Sequence, residues 1–129
     1  MFSKLPVSRN TQATGAKAEA YAARFLQRRG HKILSRNFHC RFGEIDLVTL
    51  DTSSILVFVE VRFRTTAGFA TAAESVTLGK QAKLRKTAQA YLNRNSRFVN
   101  FPCRFDVLAI EYARDSGQFS LQWIQNAFC

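Results

Sequence analysis

Residues 55–64, ILVFVEVRFR, form the most strand-like stretch of the sequence, because β-branched and aromatic residues dominate it. Alternate residues of a strand point to opposite faces, which places Val59 and Val61 on one face and Glu60 and Arg62 on the other. An ionised carboxylate in a buried strand is unfavourable unless a cation or a proton compensates its charge. The stretch therefore predicts a compensating group close to Glu60.

The segments around this strand alternate between helical and strand patterns. Thr14 is a candidate N-cap of the first helix, and Gly30 stands where that helix is expected to end. The patterns predict helices over 14–30 and 78–95 and strands over 31–38, 44–50, 55–64, 103–113 and 118–124. This order favours an α/β fold with a central mixed five-stranded sheet flanked by helices. We expect residues 1–12 to be a flexible N-terminal segment and residues 13–129 to form a single domain.

The composition points to a polyanionic partner. The chain has 19 Lys and Arg against 9 Asp and Glu, a net charge of +10, which favours nucleic acid. No apolar run reaches the roughly 18 to 20 residues of a membrane span, and the first ten residues do not resemble a secretory signal. We therefore expect a cytoplasmic protein that does not associate with membranes. An RNA- or ribosome-associated protein would also explain the charge, but not the carboxylates in the strands.

Two acidic residues are predicted to meet on one face of the sheet. If the turn at 51–54 makes the strands 44–50 and 55–64 antiparallel neighbours, a bulge or a modest register offset brings Asp46 next to Glu60. Two adjacent carboxylates repel each other unless a cation or a proton lies between them. Mg²⁺ or Mn²⁺ prefers such oxygen ligands. The alternative is that both carboxylates are solvated or paired with arginines.

The segments GEIDLV (43–48) and FVEVRFR (58–64) together resemble the metal site of the PD-(D/E)XK nuclease superfamily. The resemblance covers most of the chain, which is identified as a member of the YraN family of endonuclease-like bacterial proteins. It implies a restriction-endonuclease-like fold, similar in organisation to that of Holliday junction resolvases. It also implies an endonuclease that acts on branched or structured DNA, and a homodimer, since symmetric cleavage of a junction needs two sites.

The resemblance also implies roles for individual residues. Asp46 and Glu60 would bind Mg²⁺ or Mn²⁺, with the backbone carbonyl of Val61 as a third ligand. Glu19 would be the acidic residue that the first helix contributes in resolvase-like members, and Arg62 would contact the scissile phosphate. For Glu19, a favourable electrostatic interaction with the start of its helix is an equally good explanation.

The sequence departs from the superfamily motif at one position, where Arg62 replaces a lysine. Arginine binds phosphate but stays protonated, so it is a poor proton acceptor. Hydrolysis would then depend on the metal to acidify water, or on a lysine supplied from elsewhere. Lys80 is the candidate, one helical turn before Leu84, and Gln81 could hold the attacking water. The alternative for both side chains is a solvated start of the second helix.

Basic residues are expected to form positive walls around this site and to hold DNA through its backbone and shape, because no base-reading motif is present. The residues predicted to contact nucleic acid are Arg24, Arg28, Arg36, Arg41, Arg64 and Lys83. The leading hypothesis is a metal-dependent endonuclease. The alternative is a nuclease-fold module with weak or no catalysis that binds DNA in recombination, repair or uptake, and Arg62 is the feature in its favour.

Three other groups of residues do not suggest a catalytic site. Asp106 interrupts an apolar strand, but Arg104 points the same way, which favours a structural ion pair. His31 and His39 lack the spacing of metal ligands. The three cysteines form no CxxC pair, so they suggest neither a zinc site nor a disulfide framework.

Overall fold

A computed structural model of the chain describes residues 11–65, 76–113 and 116–128. It contains two α-helices, a short 3-10 helix at Ser96–Phe98 and five strands. The α-helices are α1 (Thr11–Arg28) and α2 (Leu78–Arg94), and the strands are β1 (Lys32–Cys40), β2 (Gly43–Leu50), β3 (Leu56–Thr65), β4 (Cys103–Ala113) and β5 (Gln118–Phe128).

The five strands form one mixed sheet in the order β1-β2-β3-β4-β5. The neighbouring pairs are antiparallel except β3 and β4, which run parallel. A parallel pair needs a crossover connection, and α2 lies in the segment that joins these two strands. The predicted α/β class, with a mixed five-stranded sheet and flanking helices, is confirmed and is consistent with a restriction-endonuclease-like fold.

The two helices cover opposite faces of the sheet. On the α1 face, Ala22 and Leu26 pack in one buried cluster with Val57 and Val59 of β3. On the α2 face, the buried cluster includes Leu84, Ala88 and Tyr91 of α2 and Phe58 of β3. Both faces of β3 are therefore covered, which explains why its sequence is almost continuously apolar.

The ends of the elements differ from the predicted ones at several points. Helix α1 begins at Thr11, so Thr14 lies inside the helix and the predicted N-cap is wrong. Gly30 adopts a positive φ of 89°, and backbone bonds there close the helix as predicted. Strand β5 runs four residues beyond the predicted end at Ile124, because it continues to pair with β4 past a register shift as far as Phe128. Backbone pairing across such an irregularity has no signature in the sequence.

Between β3 and α2, residues 66–75 lie outside the described part of the chain, whereas Val76 and Thr77 are described. Val76 is buried, and Thr77 caps α2 because its side chain accepts a hydrogen bond from the Lys80 N–H. Neither described α-helix is both long and apolar enough to span a lipid bilayer.

Candidate metal and phosphate site

Asp46 and Glu60 face each other where β2 and β3 separate. The antiparallel register pairs Leu47 with Val59, and the next facing positions are Asp46 and Glu60. The register shows no offset over the four paired positions from Leu50–Leu56 to Leu47–Val59. The ladder itself ends at the Leu47–Val59 pair.

At this point the side chain of Asp46 accepts a hydrogen bond from the backbone of β3. Its Oδ2 atom accepts a hydrogen bond of 2.8 Å from the N–H of Val61. In a strand, the N–H and the C=O of one residue point to the same edge. The carbonyl oxygen of Val61 is therefore directed to the side of the sheet on which Asp46 lies, as a third oxygen ligand would have to be.

The environment of Asp46 opposes its ionisation. Burial raises the pKa of its carboxyl group most, and the charge of Glu60 raises it further, while the Val61 N–H opposes these effects. Glu19 adds a smaller repulsion, and the resulting pKa of Asp46 is about 8 against a usual 3.8. Without a cation, burial and the neighbouring charge of Glu60 therefore favour the neutral form of the Asp46 carboxyl group.

Glu60 is compensated by two basic side chains. Its Oε2 atom lies 2.9 Å from Nζ of Lys80 and 3.3 Å from Nη1 of Arg62. The Glu60 side chain is only 9% exposed, whereas those of Lys80 and Arg62 are 38% and 27% exposed. This geometry identifies the groups that allow a carboxylate in the middle of ILVFVEVRFR.

A cavity of about 290 Å³ opens beside the two carboxylates. The first residues of β2, the middle of β3 and one face of α2 line this cavity. Gly43 has a φ of +150°, and a Cβ atom there would lie 3.3 Å from Oγ1 of Thr87. Glycine at this position allows the start of β2 to approach α2 closely. The cavity is lined by Gly43, Glu44, Asp46, Glu60, Val61, Lys80, Lys83, Leu84 and Thr87.

The remaining predicted site residues are less closely associated with this cavity. Glu19 is half-buried on α1 and acts on Asp46 through its charge. Gln81 donates a hydrogen bond of 3.1 Å from its amide to the carbonyl of Val76, so this amide group helps to fix the entry into α2. Within residues 11–65, 76–113 and 116–128, no three His, Cys, Asp or Glu side chains are grouped closely enough to hold a metal.

The predicted nucleic-acid contacts do not form one continuous wall. Lys83 lines the cavity, and Arg41 lies in the turn before β2. Arg24 and Arg28 are exposed on α1, across the sheet from α2, and Arg36 is exposed on β1. The side chain of Arg64 lies outside the described part of the chain.

The oxygen donors beside the cavity fit a hard divalent cation. Two carboxylates and the Val61 carbonyl supply oxygens only, and Mg²⁺ binds through one or two carboxylates while keeping several waters. The repulsion between Asp46 and Glu60 is the electrostatic condition that such a cation relieves. Thiolate and imidazole ligands, which softer metals prefer, do not line this cavity among the described residues.

Sequence reasoning missed the full set of partners of Asp106. The predicted ion pair with Arg104 is confirmed at 3.0 Å, and Arg104 also reaches Asp51 at 3.1 Å. Asp106 is fully buried and accepts further hydrogen bonds from the Trp123 side chain and the Asn126 N–H. These bonds satisfy a charge in the core, so this network stabilises the fold and is separate from the cavity.

Sequence reasoning also missed Thr87 as a residue of the cavity. Its position three residues after Leu84 on the buried stripe of α2 was the available signal, since a hydroxyl group on such a stripe needs a partner. The structure provides one, because Thr87 donates a hydrogen bond of 2.8 Å to the Lys83 carbonyl.

Comparison with known proteins agrees with the family predicted from the sequence. A sequence model of the family described as "Uncharacterised protein family UPF0102" matches residues 18–110. A UPF0102 protein of Saccharophagus degradans is 50% identical over 115 residues, which cover 89% of this chain and 92% of that protein. UPF0102 proteins of Pseudomonas syringae pv. syringae and Nitrosococcus oceani are each 46% identical, over 91% and 88% of this chain and 94% and 90% of their own lengths. The chain therefore belongs to the UPF0102 family, the YraN family that its GEIDLV and FVEVRFR segments predicted.

Proposed function

We propose that the protein is a metal-dependent endonuclease that hydrolyses phosphodiester bonds in branched or otherwise structured DNA. The observation that carries this proposal is the facing pair Asp46 and Glu60, which burial and mutual repulsion keep from ionising together. A fold gains nothing in stability from such a pair, since a solvated or apolar residue at either position would avoid the repulsion. Paired carboxylates of this kind are typical of sites that bind a cation.

Asp46, Glu60 and the carbonyl of Val61 would hold the metal. Bound Mg²⁺ or Mn²⁺ would acidify a water molecule and neutralise charge on the scissile phosphate. The Val61 N–H bond to Asp46 fixes the orientation of that carboxylate, so the chain supplies one ligand in a set position. Glu19 contributes further negative charge to the same site.

Lys80 and Arg62 would bind the phosphate group that is cleaved. Both reach Glu60 Oε2 and both keep a substantial exposed fraction, so they can contact a ligand in the cavity. The planar guanidinium group of Arg62 suits bidentate contact with phosphate oxygens, while the Lys80 ammonium group is a compact charge that can also transfer a proton. Lys80 of α2 would then supply the lysine that the superfamily motif has at the position of Arg62.

The rest of the surface supports a polyanionic substrate. The net charge of +10 favours association with the DNA backbone, and Lys83 extends the positive charge along α2 at the cavity. Contacts of this type hold phosphates without reading bases. The preference for branched or structured DNA rests on the similarity in organisation to Holliday junction resolvases.

A second function, a DNA-binding module with weak or no catalysis, is favoured by the surroundings of Glu60. Lys80 and Arg62 already compensate this carboxylate, so it does not need a metal to remain in the strand. In such a protein the same cavity would bind a phosphate group of DNA without cleaving it.

Cleavage of a labelled four-way junction in Mg²⁺, Mn²⁺ or EDTA tests the proposal. We expect metal-dependent products with the wild-type protein and none with Asp46→Asn or Glu60→Gln. Glu44→Gln is the matched control, since it removes an exposed carboxylate of the same strand that lines the same cavity. Junction binding without cleavage in either metal would favour the binding module, and cleavage that survives both site variants would contradict the assigned ligands.

A further inference from the structure

Phe42 is a large, partly exposed apolar side chain in the turn that leads into the candidate site. It lies with Arg41 in the turn between β1 and β2, and 37% of it is exposed. The next residue, Gly43, lines the cavity that contains Asp46 and Glu60. The turn that carries the ring is therefore directly continuous with the lining of the cavity.

Two cations lie close to the Phe42 ring. Cζ of Arg41 lies 4.8 Å from the ring centroid, and Nζ of Lys86 lies 5.8 Å from it. The Lys86 distance is near the outer limit of about 6 Å for a cation–π contact, so this contact is weak. Lys83, one helical turn before Lys86 on α2, lines the cavity. Positive charge thus extends along α2 from the cavity to the ring.

We propose that Phe42 is a stacking platform for an unpaired base of the nucleic acid next to the phosphate held in the cavity. This inference rests on the proposed function for the identity of that phosphate, and it defines the substrate class as DNA with unpaired nucleotides at the cleaved position. Arg41 and Lys86 contact the phosphates on either side of the stacked base. An aromatic ring between backbone-binding cations is the arrangement that binds single strands without sequence preference.

Stacking on this ring requires a base that is not held inside a duplex. Bases of a continuous double helix stack on each other, and their faces are inaccessible to a side chain on a protein surface. Branch points, flaps and single-stranded ends expose such faces. The ring consequently distinguishes DNA with unpaired bases from continuous duplex, while Lys83 attracts both through their phosphates.

The fluorescence of 2-aminopurine, which stacking quenches, tests this proposal by direct binding in EDTA. The probe base is placed in the unpaired arm of a forked duplex, and a fully paired duplex of the same length is the comparison. We expect quenching by the wild-type protein and by Phe42→Trp. Phe42→Leu should abolish the quenching and weaken binding of the fork by about tenfold, within the range for loss of one base stack, with little change for the duplex. Lys83→Ala should weaken binding of both DNAs and lower the salt dependence.

Control variants separate this proposal from the proposed function. Val99→Ala, which truncates another exposed apolar side chain, should leave the quenching unchanged. Asp46→Asn removes a proposed metal ligand and should retain the quenching, so a protein that never cleaves DNA can still confirm the platform. Equal loss of fork and duplex affinity in Phe42→Leu, or unchanged quenching in that variant, would overturn it.

Discussion

The ammonium group of Lys80 lies 2.9 Å from Oε2 of Glu60, which joins the first turn of α2 to the middle of β3. Because Thr77 caps this helix through the Lys80 N–H, the backbone of Lys80 is held in place at the point where its side chain leaves the helix. A lysine is thus positioned beside the carboxylate pair from a helix, while Arg62 of β3 lies 3.3 Å from the same oxygen of Glu60.

The stability of the metal-free protein should fall as pH rises towards 8. The pKa of Asp46 is about 8 in the folded state against 3.8 ordinarily, so between these values the folded state binds a proton that the unfolded state has released. Asp46→Asn cannot ionise, so in EDTA its melting temperature should increase relative to that of the wild type as the pH rises from 5 to 8. Thermal melts across this range measure the difference, with Glu44→Gln as the control. A constant difference between wild type and Asp46→Asn would contradict the raised pKa.

Binding of Mn²⁺ or Mg²⁺ should release a proton from the carboxylate pair. Below pH 8 the metal has to displace the proton held by Asp46, so its affinity should rise by about tenfold per pH unit up to that value. Calorimetric titrations in two buffers of different ionisation enthalpy measure the number of protons released. Asp46→Asn should show neither the proton release nor the pH dependence, and metal binding that is independent of pH between 5.5 and 8 would place the metal elsewhere.

Lys80→Met should impair cleavage without impairing metal binding. The substitution removes a cation that competes with the metal for Glu60, while it also removes a charge that would contact the scissile phosphate. We expect single-turnover cleavage to fall by about 100-fold, within the usual range for loss of a group that transfers a proton, and Mn²⁺ affinity to stay equal or increase. Lys17→Met, an equivalent change at an exposed position of α1, serves as the control. A Lys80→Met protein that cleaves at the wild-type rate would assign this lysine a structural role.

Asp106→Ala should destabilise the fold strongly, since Asp106 is fully buried and accepts bonds from Arg104, Trp123 and the Asn126 backbone. Among the described residues, removing it leaves the half-buried guanidinium group of Arg104 with Asp51 as its ion-pair partner, and it leaves the Trp123 and Asn126 donors without an acceptor. The free energy of unfolding should therefore fall by about 3 to 5 kcal/mol. Urea denaturation measures this loss. Asp106→Asn keeps the shape and part of the hydrogen bonding, so it should lose less, and a change below 1 kcal/mol in Asp106→Ala would show that the network contributes little.

The strand and helix order was accessible from local patterns. Strand β3 is recognisable because both of its faces are buried, and the boundaries of β4 agree with the predicted 103–113 because an apolar run continues to the next turn. The predicted start of α1 and the predicted end of β5 were wrong. Both depend on backbone hydrogen bonding, which side-chain periodicity does not record.

The sequence alone determined that Asp46 and Glu60 lie on neighbouring strands, because strand periodicity and a short turn are local properties that bring them to one face. Only the tertiary structure decided which cations meet them and how strongly they repel each other. The crossover helix α2 packs on one face of the sheet and brings Lys80 to Glu60 on that face, and burial raises the pKa of Asp46. Both effects arise from packing between segments that are distant in the chain. Burial and charge act through space, and the order of residues does not specify how far apart such segments lie.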